Sequence, residues 1–328
     1  MHLFFTNALI ALKQVAILYI IAGLGFAAER LRWFPEATAR LCTKLLLYTV
    51  VPCVVLTSFL SMEYSPEAVR GLLISLLCGA LLHAAGMLMS EPFFRGRKQP
   101  EAESVLHFAA VYGNCGYMGL PLAQAMVGQQ GVFYVSVVIL TFQMLSFTHG
   151  AYVMSGGVPF RKQGTGGRGE GVRFEWKRLI LNAGVLSVAV GLPIFLLRIP
   201  VPALVKTPLS MVAAMNSPLA MLMFGAYLSR TKMQGLLRSK KIFAAIGIKL
   251  FAVPAVTMAA LLFMRAEPAL ITAILIPAAA PPANNTVVFA AQYGRDTGYA
   301  AQAVSLLSLL SIVTMPLMIA LGLSLNIL

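Results

Sequence analysis

The chain is 328 residues long, 59% hydrophobic and only 11% charged, with 25 basic against 11 acidic side chains and a formal charge of +14. Soluble domains carry about 25% charged residues, so a surface turned mainly to water is excluded. A nucleic-acid surface is excluded as well, because the basic residues sit in short stretches between long apolar runs, where positive charge marks the cytoplasmic side of a membrane.

The apolar runs fall at 7–29, 40–61, 69–90, 102–127 and 131–154, then at 177–198, 205–229, 241–264, 268–293 and 299–324. Each is close to the roughly 20 residues that cross hydrocarbon as a helix. Helices satisfy their backbone groups internally in lipid, so the expected fold is all-α and polytopic, with ten transmembrane helices. Basic residues cluster on alternate sides of these runs. One side collects Arg30, Arg32, Arg40 and Lys44, then Arg95, Arg97 and Lys98, then the group from Arg161 to Arg178, then Arg230 to Lys241, and finally Arg295. The other side keeps Arg70, Arg198, Lys206 and Arg265. This asymmetry predicts a cytoplasmic (inner) membrane protein with both termini outside.

In the first run Lys13 stands near an end and can snorkel. The second carries Val51-Pro52-Cys53 at mid-span, and the third holds His83, which can serve core hydrogen bonding or charge coupling. Cys42, Cys53, Cys78 and Cys115 lack metal-site or redox spacing and read as small buried hydrophobes. The fourth run reads Tyr112-Gly113-Asn114-Cys115-Gly116-Tyr117-Met118-Gly119-Leu120-Pro121. Three glycines, an asparagine and a proline cannot make a regular helix centre. In the fifth run Gln143 is a polar side chain that can reach the same region.

A Gly-rich basic stretch, 155–176, follows and divides the chain into blocks 1–154 and 177–328. Its Gly164-Thr165-Gly166-Gly167-Arg168-Gly169 formally matches a dinucleotide fingerprint but neither follows a strand nor opens a helix; it reads as a linker. Five helices per block is an odd number, so homologous blocks would insert with opposite orientations, an inverted repeat of the transporter type. His83 follows Pro52 at the same interval as Lys249 follows Pro218. Lys249, in the eighth run, can snorkel toward the basic loop or take part in anion attraction or coupling.

The ninth run reads Ile276-Pro277-Ala278-Ala279-Ala280-Pro281-Pro282-Ala283-Asn284-Asn285-Thr286, a second break at the matching position of its block. Unwound backbone at membrane depth belongs where it lines a cavity or is buried in protein. Pro121 and Pro282 are expected to open new half-helices, whose free amides and positive dipole ends favour an anion. Asn114, Asn284, Asn285 and Thr286 can orient a carboxylate by neutral hydrogen bonds. No carboxylate is expected at mid-membrane, which argues against a proton relay through Asp or Glu. Ser305, Ser308 and Ser311 on the tenth run read as a packing stripe.

The string from Asn114 to Pro121 resembles the N-x-x-x-M-G-I/L-P motif of the auxin efflux carrier family. The stretch from Pro281 through Asn284 to Gly294 resembles that family's second crossover. The resemblance implies the fold of the bile-acid sodium symporters. Helices 1, 2, 6 and 7 would form a scaffold and dimer surface, and helices 3–5 and 8–10 a mobile transport unit. It implies that Asn114 contacts substrate beside the crossing at Pro121 and Pro281. With the residues read above, the candidate substrate contacts are Asn114, Cys115, Gly116, Pro121, Gln143, Pro281, Pro282, Asn284, Asn285 and Thr286, and His83 and Lys249 are the possible charge or coupling residues. The family's acidic residue on helix 3 has no counterpart here, and the short central loop resembles bacterial members.

The expected function is secondary transport of a small organic anion, a carboxylate, by an elevator-like alternating access. The expected partners are that acid, the bilayer, a coupling proton or sodium ion and a second copy of the chain. No catalytic residue, metal, cofactor or nucleic acid is expected. The alternatives are a sodium-coupled bile-acid-type symporter, a channel, which would need a filter or charged ring, and a membrane enzyme, which would need a catalytic cluster.

Overall fold

The computed structural model describes residues 2–33, 35–94, 101–156, 183–230 and 239–325. The 155–176 linker lies outside the described residues except for its first two positions, as does the start of the sixth expected span.

The regular structure of the described residues is helical. Helix α1 runs His2–Arg30. Helix α2 comprises Glu36–Leu45, a π turn at Leu46–Val50 and Val51–Ser61. Helix α3 is Pro66–Phe94. Helix α4 has two parts, Glu101–Val111 and, beyond a break, a π turn at Cys115–Gly119 leading into Leu120–Val127. Helix α5 joins Gln129–Leu145, a π turn at Ser146–Gly150 and Ala151–Met154. Helix α6 is Ala183–Leu196, and α7 comprises Ala203–Ala213 and Asn216–Ser229. Helix α8 joins Lys240–Gly247, a π turn at Ile248–Ala252 and Val253–Phe263. Helix α9 again has two parts, Pro268–Ala279 and Asn285–Gln292, and α10 is Thr297–Leu325. Among the described residues, seven helices are long and apolar enough to cross a membrane. Shorter apolar helices, Ala102–Val111, Ala183–Leu196 and Pro268–Ala279, occupy the other expected spans.

Three π turns share one cause. Pro52, Pro121 and Pro254 each stand at the second position after such a turn. Proline offers no N–H to the carbonyl one turn back, and its ring crowds that carbonyl. The turn widens, and the residue before each proline donates five residues back, from Val51, Leu120 and Val253 to the carbonyls of Leu46, Cys115 and Ile248, which is the π pattern.

Packing relies on small residues. Helix α1 crosses the second half of α7 so closely that a Cβ on Gly25 would overlap the Leu222 backbone, and one on Gly225 the Ala22 backbone, the close approach that membrane helices use. Ser305, Ser308 and Ser311 are buried, and the Tyr19 hydroxyl of α1 donates to the Ser308 carbonyl at 2.7 Å, so that stripe is the α1–α10 seam. The first half of α9 is enclosed on all sides, with every residue from Leu270 to Ala279 buried. Leu9, Ile20, Leu24, Leu73, Leu88 and Leu204 are exposed, an apolar exterior that suits lipid and would be a liability in water.

Candidate substrate site at a helix crossover

The two interrupted helices cross at their breaks. Three residues of α4, Tyr112 to Asn114, lie outside regular helix, and Gly113 bridges Pro282 of α9 in antiparallel sense. The Asn114 amide donates to the Pro281 carbonyl at 2.7 Å, and the Ala283 amide donates to the Tyr112 carbonyl at 2.9 Å. Buried backbone groups need partners, and here each break supplies what the other lacks. Pro281 and Pro282 carry no N–H, and Ala280 is already extended at φ −61°, ψ 143°, so α9 cannot run through. Gly113 allows the close approach: a Cβ there would lie 2.6 Å from Lys249 Nζ and 2.9 Å from the Pro277 carbonyl oxygen.

The prolines do not open the half-helices, contrary to expectation. Asn114 caps the second part of α4, its Oδ1 accepting from the Tyr117 amide at 3.0 Å. Asn284 occupies the cap position of Asn285–Gln292. At Asn114 the side-chain oxygen thus satisfies an orphan amide of the first turn, which proline cannot do, while the Asn284 side chain makes no such bond. Pro121 therefore lies inside the α4 half-helix, past the π turn, and Pro282 in the extended link.

A cavity of about 330 Å³ opens on the crossover, a size at the small end of ligand pockets. Of the expected site residues, Asn114, Cys115, Gly116, Gln143, Asn284 and Asn285 line it. Pro121, Pro281, Pro282 and Thr286 do not form its wall, and Thr286 is fully buried. The apolar wall includes Leu47 and Tyr48 of α2 and Phe142 and Phe147 of α5. The α2 contribution was not expected from the sequence; the Pro52 signal beside the π turn could have pointed to it. Three terminal amides on the wall carry a buried atom without a hydrogen-bond partner: Asn114 Nδ2, Asn284 Nδ2 and Gln143 Oε1. Unpaired buried polar atoms of this kind call for a partner, and rotation of these amides toward the cavity would bring them to a polar guest.

Lys249 does not snorkel. It is 0% exposed, and its Nζ donates to the Ala278 carbonyl at 3.1 Å. The side chain runs into the crossover because the last carbonyls of Pro268–Ala279, at the negative end of that half-helix, offer a partner there. His83 is equally buried. Its Nδ1 lies 2.6 Å from the Gly79 carbonyl, and since a carbonyl can only accept, Nδ1 carries the hydrogen. Nε2 is left as a buried lone pair without a partner. His83 thus has the core hydrogen bond foreseen as one of its two roles.

A multi-pass membrane protein, helical throughout its described regular structure, whose broken helices cross beside a small, mainly apolar cavity with a few polar side chains is built as a membrane transporter. A family profile described as membrane transport protein matches residues 10–159 and 171–319, nearly the whole chain. The chain belongs to that family, the auxin efflux carrier or PIN-like family, whose members are transporters rather than enzymes. No curated protein matches the chain.

Proposed function

We propose that the protein is a secondary transporter for a small carboxylate in the cytoplasmic membrane, with its site at the α4–α9 crossover. In this reading α1 to α5 and α6 to α10 are two inverted five-helix blocks spanning the membrane ten times, with both termini outside. Helices α3–α5 and α8–α10 move as an elevator-like unit against α1, α2, α6 and α7, whose outer surface pairs two copies.

The observation that carries the reading is the mutual pairing of the two breaks, Asn114 N–H to Pro281 and Ala283 N–H to Tyr112. It holds two half-helix N-termini beside one cavity, where the positive dipole ends favour an anion. The unpaired amides of Asn114, Asn284 and Gln143 can orient a carboxylate without adding charge. Lys249 adds a buried cation beside Gly113. A cavity of about 330 Å³ suits a short acid better than a sterol.

The test is counterflow in proteoliposomes with labelled malonate, malate, lactate, indole acetate and taurocholate. Saturable exchange of a small acid, abolished by Asn114→Ala, supports the reading. Sodium-dependent uptake of taurocholate would replace it with the bile-acid-type alternative, and absence of exchange from folded protein would remove it.

A further inference from the structure

Three of the chain's four histidines converge in one layer beside the crossover, a placement that the substrate site does not explain. From the surface inward the series begins at Glu91 on α3, whose side chain is 44% exposed and lies 3.9 Å from His107 Nε2 of α4. His107 is 1% exposed, and neither ring nitrogen has a hydrogen-bond partner. Its ring centroid is 5.7 Å from that of His149 on α5. His149 Nδ1 lies 3.0 Å from the Tyr112 hydroxyl. That hydroxyl gives its hydrogen to the Leu145 carbonyl at 2.8 Å, so the His149 contact requires a hydrogen on Nδ1. The Tyr112 ring is 5.7 Å from His83, whose bare Nε2 ends the series within electrostatic reach of Lys249.

Two buried imidazoles with unpartnered nitrogens are costly if they serve only as packing. A phenylalanine would fill the stacked position of His107 on Phe94 without that cost. The other charged groups on the helices packed here are otherwise engaged. Glu103 pairs with Lys241 at 2.5 Å, and Arg295 donates to the Met154 carbonyl at 2.7 Å. Cys115, beside Lys249, and Tyr299, beside Glu103, lie off the series.

We propose that Glu91, His107, His149, Tyr112 and His83 form a proton path between the membrane surface and the crossover, so that the ion coupled to substrate movement is a proton. This rests on the transporter reading above. Glu91 gives a proton to His107, and the imidazolium passes one on to His149. His149 releases its Nδ1 hydrogen to the Tyr112 oxygen as the hydroxyl hydrogen leaves toward His83 Nε2, with water or ring rotation closing the wider steps. His107, His149 and Tyr112 return to neutrality, and His83 holds the proton as an imidazolium until it passes to the substrate side. Glu91 regains a proton from the water outside, so one proton has moved inward.

The experiment loads wild-type proteoliposomes with pyranine and follows internal pH while the acid identified by counterflow is added outside. His149→Gln and His107→Phe are run beside it, since neither residue touches the cavity. Wild type should move protons with the acid. Both variants should hold acid-for-acid counterflow within about twofold, which also reports folding, and lose about tenfold or more of the proton movement. Acid exchange without proton movement in wild type overturns the path and leaves the transporter reading standing. So does wild-type proton movement in both variants. If wild type moves no acid, both readings fall together.

Discussion

The two breaks look alike in sequence and are held differently. In α4 the break is tied down at Asn114: its amide bonds Pro281, its carbonyl accepts from Gly119 at 3.0 Å, and its Oδ1 caps Tyr117. Only Nδ2 is left over. In α9 the Asn284 carbonyl accepts from Val287 at 3.0 Å, but its side chain caps nothing and its Nδ2 is unpaired. The Asn114 side chain thus serves both architecture and cavity, while that of Asn284 serves the cavity alone. A broken helix becomes a site by leaving polar atoms unspent, and the two breaks differ in how many they leave.

The sharpest way to break this pairing is Gly113→Ala. The added methyl meets the Pro277 carbonyl and the Lys249 ammonium at under 3 Å. The backbone must part or the ammonium must leave Ala278. Overpacking of this kind costs about 1–3 kcal/mol, so thermal unfolding in detergent should show that loss, together with loss of acid exchange. Unchanged stability would mean that the crossover yields more easily than its bonds imply.

Next in size is the contrast between Asn114→Ala and Asn284→Ala. Both should lower exchange about tenfold or more if each amide bonds the guest, since a buried site left with unpaired groups penalises binding. Only Asn114→Ala should also destabilise the folded protein, by about 1 kcal/mol for the lost cap. Asn284→Ala should stay within about 0.5 kcal/mol of wild type, as substitutions away from structural bonds do. Asn114→Ser divides the two duties, because serine caps as well as asparagine but carries no second polar arm. Its stability should match wild type while exchange falls; equal loss of both would assign Asn114 to architecture alone.

Much of this is legible in the sequence. The apolar runs and the basic residues between them define a membrane protein, and the Gly, Asn and Pro residues of the first break with the Pro and Asn residues of the second mark where the helices are interrupted. What could not be read is which atom does what. Proline was expected at the helix openings because it lacks a donor, yet both openings fall at asparagines: the Asn114 side chain accepts an orphan amide of its first turn, which proline cannot do, whereas Asn284 takes the position with no side-chain cap. For Lys249 the sequence allows both loop and core. Distance along α8 could not decide it, because the deciding partner, the Ala278 carbonyl, is exposed only where α9 breaks. The convergence of His83, His107 and His149 was invisible for the same reason: three helices bring them together, and no spacing within one helix encodes it.

The smallest expected effect tests whether the cavity extends beyond the two breaks. Gln143 belongs to α5, an intact helix at that position, and reaches the wall with Oε1 unpaired. It caps nothing and bears no crossover backbone bond, so Gln143→Ala should leave stability within about 0.5 kcal/mol. If its amide meets the guest, half-saturation for the transported acid should rise about fivefold, the equivalent of one neutral hydrogen bond near 1 kcal/mol, with the maximal exchange rate held. A fall in maximal rate at constant half-saturation would instead place Gln143 on the moving contact between α5 and its neighbours. The site would then be confined to the two asparagine-bearing breaks.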